Sequence, residues 1–178
     1  AIKTHDDLAV AFANLIKSRI RTPLVFYVNQ DARNSTEYIG YFQQGGLGMP
    51  DRSFYDQQNF EEIRQKYVQH VENILKLAGL SNAAGKAARI MELESEMASH
   101  NWTRAKNRDR KRTYNKRTVE QFTSMAPNFN WTTFFAELGV GSEEFVVRQP
   151  SYIKALNDIL VKYSVADWKS YLTWQTFN

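Results

Sequence analysis

Gly45-Gly46-Leu47-Gly48-Met49-Pro50-Asp51-Arg52-Ser53-Phe54-Tyr55 separates two kinds of order in this sequence. Its first six residues cannot hold a regular element, because the glycines are too free and the proline lacks a donor. Upstream, Leu24, Phe26 and Val28 alternate with Val25 and Tyr27, and residues 38–42 are again β-branched and aromatic. That is strand periodicity. Asp31-Ala32-Arg33-Asn34-Ser35 supplies turn chemistry between the two runs, so this part reads as a hairpin. Downstream the period changes to 3.6. Phe60, Ile63, Tyr67, Val71, Ile74 and Ala78 share a face, and Gly79 stops the helix.

Helical patterns fill most of what remains. Thr4-His5-Asp6-Asp7 reads as a capping box ahead of Leu8, Ala11, Phe12, Leu15 and Ile16. Ser81 or Asn82 caps a helix running to about residue 101, with Ala87, Ile90, Leu93 and Met97 inward. Short helices are expected over 118–122 and 131–138, the second stopped by Gly139. Pro150 opens another through Ile153, Leu156, Ile159, Leu160 and Tyr163. Ser164-Val165-Ala166-Asp167 is a second capping box, leading into Trp168, Tyr171, Leu172 and Trp174. That aromatic stripe runs to the final residue with no stop signal, so the chain reads as cut inside an element, with the stripe left uncovered. No repeat, low-complexity stretch or linker divides the chain. The expected fold is mainly α: a multi-helix orthogonal assembly with one β-hairpin near the N-terminus, occupying 1–178 as one unit.

Composition removes several classes of function. The chain has 178 residues and no cysteine, so disulfides, thiolate metal sites and a Cys nucleophile are excluded. With 43% hydrophobic and 13% aromatic residues it can bury a core, and no apolar run approaches a membrane span. The net charge of +4 is local in origin. From Arg104 to Arg117 eight cations face one acid, Asp109, leaving the rest of the chain net acidic. With Trp102 and Tyr114 interleaved, that run suits phosphates and stacked bases, which would make the chain a stand-alone helical module for nucleic acid or another polyanion. A solvated face with internal ion pairs is the stronger reading of such a run.

The search for catalytic chemistry returns little. His5, His70 and His100 lie far apart, and neither H-E-x-x-H nor G-x-S-x-G occurs. His70 reads as a surface or edge histidine. His100 follows Glu94 and Glu96, but Glu96 falls on the far side of its helix, so a ligand cluster there is disfavoured. The glycine run lacks the Lys-Ser/Thr of a phosphate loop and reads instead as backbone crossing another element closely. No catalytic, cofactor-binding or metal-ligating residue is therefore assigned. Glu94 is different in kind. At about 100° per residue it falls near the centre of an arc made by Ala87, Ile90, Met91, Leu93, Met97 and Ala98. A carboxylate there must be hydrogen-bonded and paired. The expected partners come from the basic stretch, Arg108 first and the Tyr114 hydroxyl second.

Gly46 to Tyr55 resembles the G-L-x-L-P-x-R-x-Y-Y segment of the neprilysin-like zinc metallopeptidases, with Phe54 standing where that family usually has Tyr. Met91-Glu92-Leu93-Glu94 with Glu96 and Ala98 resembles its M-E-L-E-x-E-I-A helix. Asn107-Arg108-Asp109 and Tyr114-Asn115-Lys116 follow in the family's order, as do Asn130-Trp131, Val146-Val147, Pro150 and the stretch from Leu160 to Trp174. The resemblance covers essentially the whole chain. It implies part of the N-terminal, largely helical, non-catalytic domain, which closes over the active site and limits access to peptides. The family's zinc, its H-E-x-x-H motif and its third Glu ligand lie in a catalytic domain toward the C-terminus; none of those residues is present here. The implied partners are that catalytic domain of the same polypeptide and the parent's peptide substrates. The lack of cysteine fits a bacterial member, which would act in the periplasm or outside the cell.

Overall fold

A computed structural model describes residues 2–178. Helix α1 spans Asp7–Lys17 and is followed by a hairpin of β1 (Leu24–Asp31) and β2 (Asn34–Gln44). A short α2 (Ser53–Asp56) and a 3-10 turn (Gln58–Phe60) lead to the two long helices, α3 (Glu61–Leu77) and α4 (Ala83–His100). The second half contains α5 (Arg104–Asn107), β3 (Lys116–Thr118), α6 (Val119–Met125), α7 (Trp131–Leu138), β4 (Glu144–Val147), α8 (Pro150–Lys162) and α9 (Val165–Phe177).

The punctuation of these helices is chemical and local. Thr4 and Asp7 exchange backbone–side-chain hydrogen bonds ahead of α1. Ser164 and Asp167 do the same at α9, and Thr118 and Gln121 at α6. Gly79 and Gly139 end α3 and α7 at φ values of +74° and +75°, a region open to glycine at little cost.

The hairpin is tighter and longer than the turn residues suggest, since only Ala32 and Arg33 lie outside its strands. It is also not alone. β2 pairs in parallel with β4, Gly40 opposite Phe145 and Phe42 opposite Val147, and β3 closes the far side antiparallel to β4. The result is a four-stranded sheet in the order β1-β2-β4-β3. Phe26, Phe42 and Phe145 on its inner face meet an aromatic block from α6 and α7. Phe42 stacks on Phe122 at 4.7 Å between ring centroids, and Phe135 stacks on Phe145 at 5.0 Å. The outer face carries a smaller cluster of Ile39, Tyr41 and Val146.

The aromatic stripe of α9 is covered within the chain, contrary to expectation. Trp168, Tyr171 and Trp174 are wholly buried, packed with α3, α4 and the glycine-rich loop. Among the described residues no helix is long and apolar enough to cross a membrane.

Candidate functional site

The glycine-rich loop, residues 45–50, crosses the ends of several elements and approaches two of them closely. Gly46 has φ +80°, and a Cβ there would lie 2.8 Å from the Cα of Pro23. A Cβ at Gly48 would fall on the Tyr67 hydroxyl. The loop therefore needs glycine for its conformation at one position and for space at both.

Beneath it lies Glu94, fully buried on the inner face of α4. Its Oε2 accepts from the Tyr55 hydroxyl at 2.7 Å, the Tyr67 hydroxyl at 2.8 Å and the Gly48 amide at 3.2 Å. Its Oε1 accepts from Gln175 Nε2 at 3.2 Å. These donors come from α2, α3, the loop and α9. A second tier holds them: Trp174 Nε1 donates to the Tyr67 oxygen at 3.0 Å, and the Met49 amide to the Tyr55 oxygen at 3.0 Å. Gly46 O accepts from Tyr171 at 2.7 Å and from Gln175 at 3.2 Å.

The burial of Glu94 matches its place on the helical wheel; its partners do not. Arg108 is exposed, and the Tyr114 hydroxyl donates instead to Asp31 at 2.8 Å. The reason is electrostatic: neutral phenols and amides satisfy a carboxylate without a second charge losing its water. Burial raises the Glu94 pKa from 4.5 to about 7, against the opposing pull of Tyr55, Tyr67 and Gly48. Burial and the nearby Glu94 charge push both phenols far upward, so they remain donors. One signal for these partners was present in the sequence: Tyr67 stands in the apolar stripe of α3, and a buried tyrosine hydroxyl needs a partner.

The remaining candidates are dispersed. His5 Nε2 lies 2.9 Å from Tyr163 O, and His70 sits edge-on to Trp174 at 5.6 Å. His100 is exposed at the end of α4. Glu96, on the opposite side of its helix from Glu94, accepts from Lys162 at 2.7 Å and from Tyr163 at 2.8 Å. Although partial burial works the other way, these partners hold its pKa below the usual carboxylate value. Among the described residues no three His, Asp or Glu side chains converge as metal ligands.

A groove of about 650 Å³ opens on the other side of the loop, lined by Gly46, Leu47, Met49, Arg52, Asn101 and Trp102 among others. Arg52 donates to Asn101 O at 2.9 Å, and Arg104 pairs with Asp51 at 2.7 Å. These contacts join the α2 segment to the start of the basic run. Further along the run Arg112 pairs with Asp109 at 3.4 Å and Lys116 with Glu144 at 2.8 Å, while Lys106 lies over the Trp102 ring at 4.0 Å. The arrangement holds a carboxylate in place and shapes a groove wall.

Comparison with known proteins gives a consistent result. The family model described as Peptidase family M13, in its N-terminal part, matches residues 1–178. An endothelin-converting enzyme homolog of Locusta migratoria is 29% identical over 164 residues, covering 84% of this chain and 23% of its own length. Mouse neprilysin is 27% identical over 172 residues, again 84% of this chain and 23% of the relative. The crystal structure of the Mycobacterium tuberculosis zinc metalloprotease Zmp1 in complex with inhibitor superposes with a TM-score of 0.91 at 30% identity. That match covers 96% of this chain and 27% of the other. The chain thus spans about a quarter of the length of the relatives it matches.

Proposed function

The chain belongs to peptidase family M13 and corresponds to part of its N-terminal domain, and from that premise we propose that it is a non-catalytic, cavity-enclosing part of a zinc metalloendopeptidase. The observation that carries this reading is the superposition of 96% of the chain on 27% of a zinc metalloprotease. The chemistry of this segment agrees with a supporting role. The three histidines are held in separate surroundings, so the side chains of this segment do not fit a zinc ion. In this proposal zinc and the residues that activate water belong to a catalytic domain elsewhere in the same polypeptide.

What this segment contributes is shape. An aromatic core fixes the sheet against α6 and α7, while the Glu94 cluster fixes the glycine-rich loop against α2, α3, α4 and α9. A wall built this way admits extended peptides and keeps folded proteins from the reacting centre. The test compares the 178-residue chain with the full-length polypeptide that carries it, on a quenched peptide and on a folded protein. The full-length polypeptide should cleave the peptide in a chelator-sensitive manner and spare the folded protein. The chain alone should cleave neither. Stoichiometric zinc on the isolated chain, with chelator-sensitive cleavage, would overturn the proposal.

A further inference from the structure

Four polar groups along the groove beside α2 find no partner among the described residues. Asn101, which closes α4, is only 6% exposed, yet its Oδ1 is buried without a hydrogen bond. The bonds this residue makes run through its backbone, from its N–H to Met97 O and from Arg52 to its own carbonyl. A buried carboxamide left unpaired in this way destabilises the chain that carries it. Two loop amides are in the same position. Gly45 N–H donates to Pro23 O and Gly48 N–H to Glu94, while the amides of Gly46 and Leu47 between them donate to no acceptor. The fourth group is Arg21, which forms no ion pair. All four residues line the same groove.

The other charges on this wall are already matched. Arg52 pairs with Asp56 at 3.5 Å and Arg104 with Asp51 at 2.7 Å, which leaves Arg21 as the one unmatched charge. A polyanion would have to pass two carboxylates to reach a single free guanidinium, so the charge pattern disfavours nucleic acid. Between the polar groups the lining is apolar, with Val25, Leu47, Met49 and Trp102. An extended peptide meets every one of these demands. Its carbonyls accept from the two loop amides, and its main chain offers both a donor and an acceptor to the Asn101 carboxamide. Gly46 has no side chain to hold a second backbone away. Apolar side chains of the peptide cover Leu47, Met49 and Trp102, and one acidic side chain answers Arg21. The volume, about 650 Å³, is that of a site for a short stretch of chain.

We propose that this groove is a peptide-binding exosite, which holds an extended segment bearing one acidic residue by main-chain hydrogen bonds to Gly46, Leu47 and Asn101 and by an ion pair to Arg21. The frame around it is fixed before any ligand arrives. Glu94 and its donors hold the loop from below, and Gln44 and Trp102 exchange two hydrogen bonds, at 3.1 and 2.7 Å, that tie the hairpin to the residues after α4. A wall set in advance loses little freedom on binding. These groups bind and do not react, so the exosite acts on the affinity of peptides long enough to reach it and leaves the chemical step alone. The proposal rests on the peptidase reading only for the source of the peptide.

The test uses the full-length polypeptide that carries this chain, with a chelator present to suppress cleavage. The probe is a fluorescein-labelled decapeptide of alanine and serine with a central Leu-Glu and one benzoylphenylalanine for photocrosslinking. Crosslinks mapped by mass spectrometry should fall on residues 44–53 and 101–107. In fluorescence anisotropy, Arg21→Gln should weaken binding of this peptide about fivefold and leave its Leu-Gln counterpart unchanged. Asn101→Ala should weaken both peptides about fivefold while the unfolding midpoint stays in place, because that side chain bonds to nothing in the chain. N-methylation of the central peptide bonds should remove the binding. Crosslinks confined to other segments would overturn the exosite, as would unchanged binding in Asn101→Ala or equal losses for both peptides in Arg21→Gln. A polypeptide that binds the probe as described but cleaves no peptide when metal is restored would refute the peptidase reading and leave the exosite standing. One that cleaves peptides but does not bind the probe here would do the reverse.

Discussion

Replacing Glu94 with Gln keeps the shape of the side chain and removes its titration, so it isolates the energetic consequence of burying this acid. Burial raises its pKa from the ordinary 4.5 to about 7. Between those values the folded chain holds a proton that the unfolded chain has released. Stability falls with rising pH wherever the folded state binds more protons. The unmodified chain therefore loses stability from about pH 4.5 to about pH 7 through this group, and loses no more above that. At about 1.4 kcal/mol per pH unit, the loss amounts to roughly 3 kcal/mol. Glutamine has no such slope. Urea unfolding of both chains, followed by tryptophan fluorescence at pH 4.5, 6 and 8, measures it directly. The stability of Glu94→Gln minus that of the unmodified chain should grow by about 3 kcal/mol across the series, and other titrating groups cancel in that difference. A difference constant to within about 1 kcal/mol would refute the reasoning. A difference that shrinks with pH would mean that the four donors outweigh desolvation and hold the carboxylate ionised.

Tyr67→Phe takes one donor from Glu94 and leaves the Trp174 indole N–H without its acceptor; urea unfolding should show a loss of about 2 kcal/mol. Gly46→Ala forces a Cβ into a backbone at φ +80° and against the Cα of Pro23, which should cost roughly 2 kcal/mol or more and lower the thermal midpoint accordingly. Ser164→Ala removes a capping box at α9 and should cost about 1 kcal/mol. Arg89→Ala breaks a half-exposed pair with Asp167 and should cost less than about 1 kcal/mol, so the two thermal shifts, measured side by side, should fall in that order.

Much of this fold could be read directly because its helices carry their own punctuation. Ser164 with Asp167, Pro150 at α8 and the glycines at 79 and 139 all act within one turn of the boundary they set. Strands β3 and β4 could not be read this way. They are three and four residues long, with no alternation to detect, and β4 exists because Phe145, Val146 and Val147 line up in parallel beside Gly40, Tyr41 and Phe42. A parallel partner far along the chain leaves no local mark. The uncovered stripe expected on α9 fails for the same reason, because its covering comes from α3, α4 and the glycine-rich loop rather than from its neighbours in sequence.

Glu94 divides the legible from the illegible at a single residue. Its burial is a property of one helix, so the spacing of Ala87, Ile90, Leu93 and Met97 reveals it. Its partners are a property of the whole assembly, and proximity in sequence is a poor guide to them. The basic run beginning at Arg104 offers the strongest attraction on paper, yet a buried guanidinium would have to lose its own water first. Phenols avoid that cost, since their rings join the core and their hydroxyls reach the carboxylate. The two tyrosines that do so lie in the loop-to-α2 segment and in α3. Two stretches that carry the family resemblance, Gly46 to Tyr55 and Met91 to Ala98, therefore meet at one carboxylate. The Gly48 amide of the loop and the Tyr55 hydroxyl of α2 both donate to that carboxylate, so Glu94 ties the loop to the core by bonds that neither stretch could make alone.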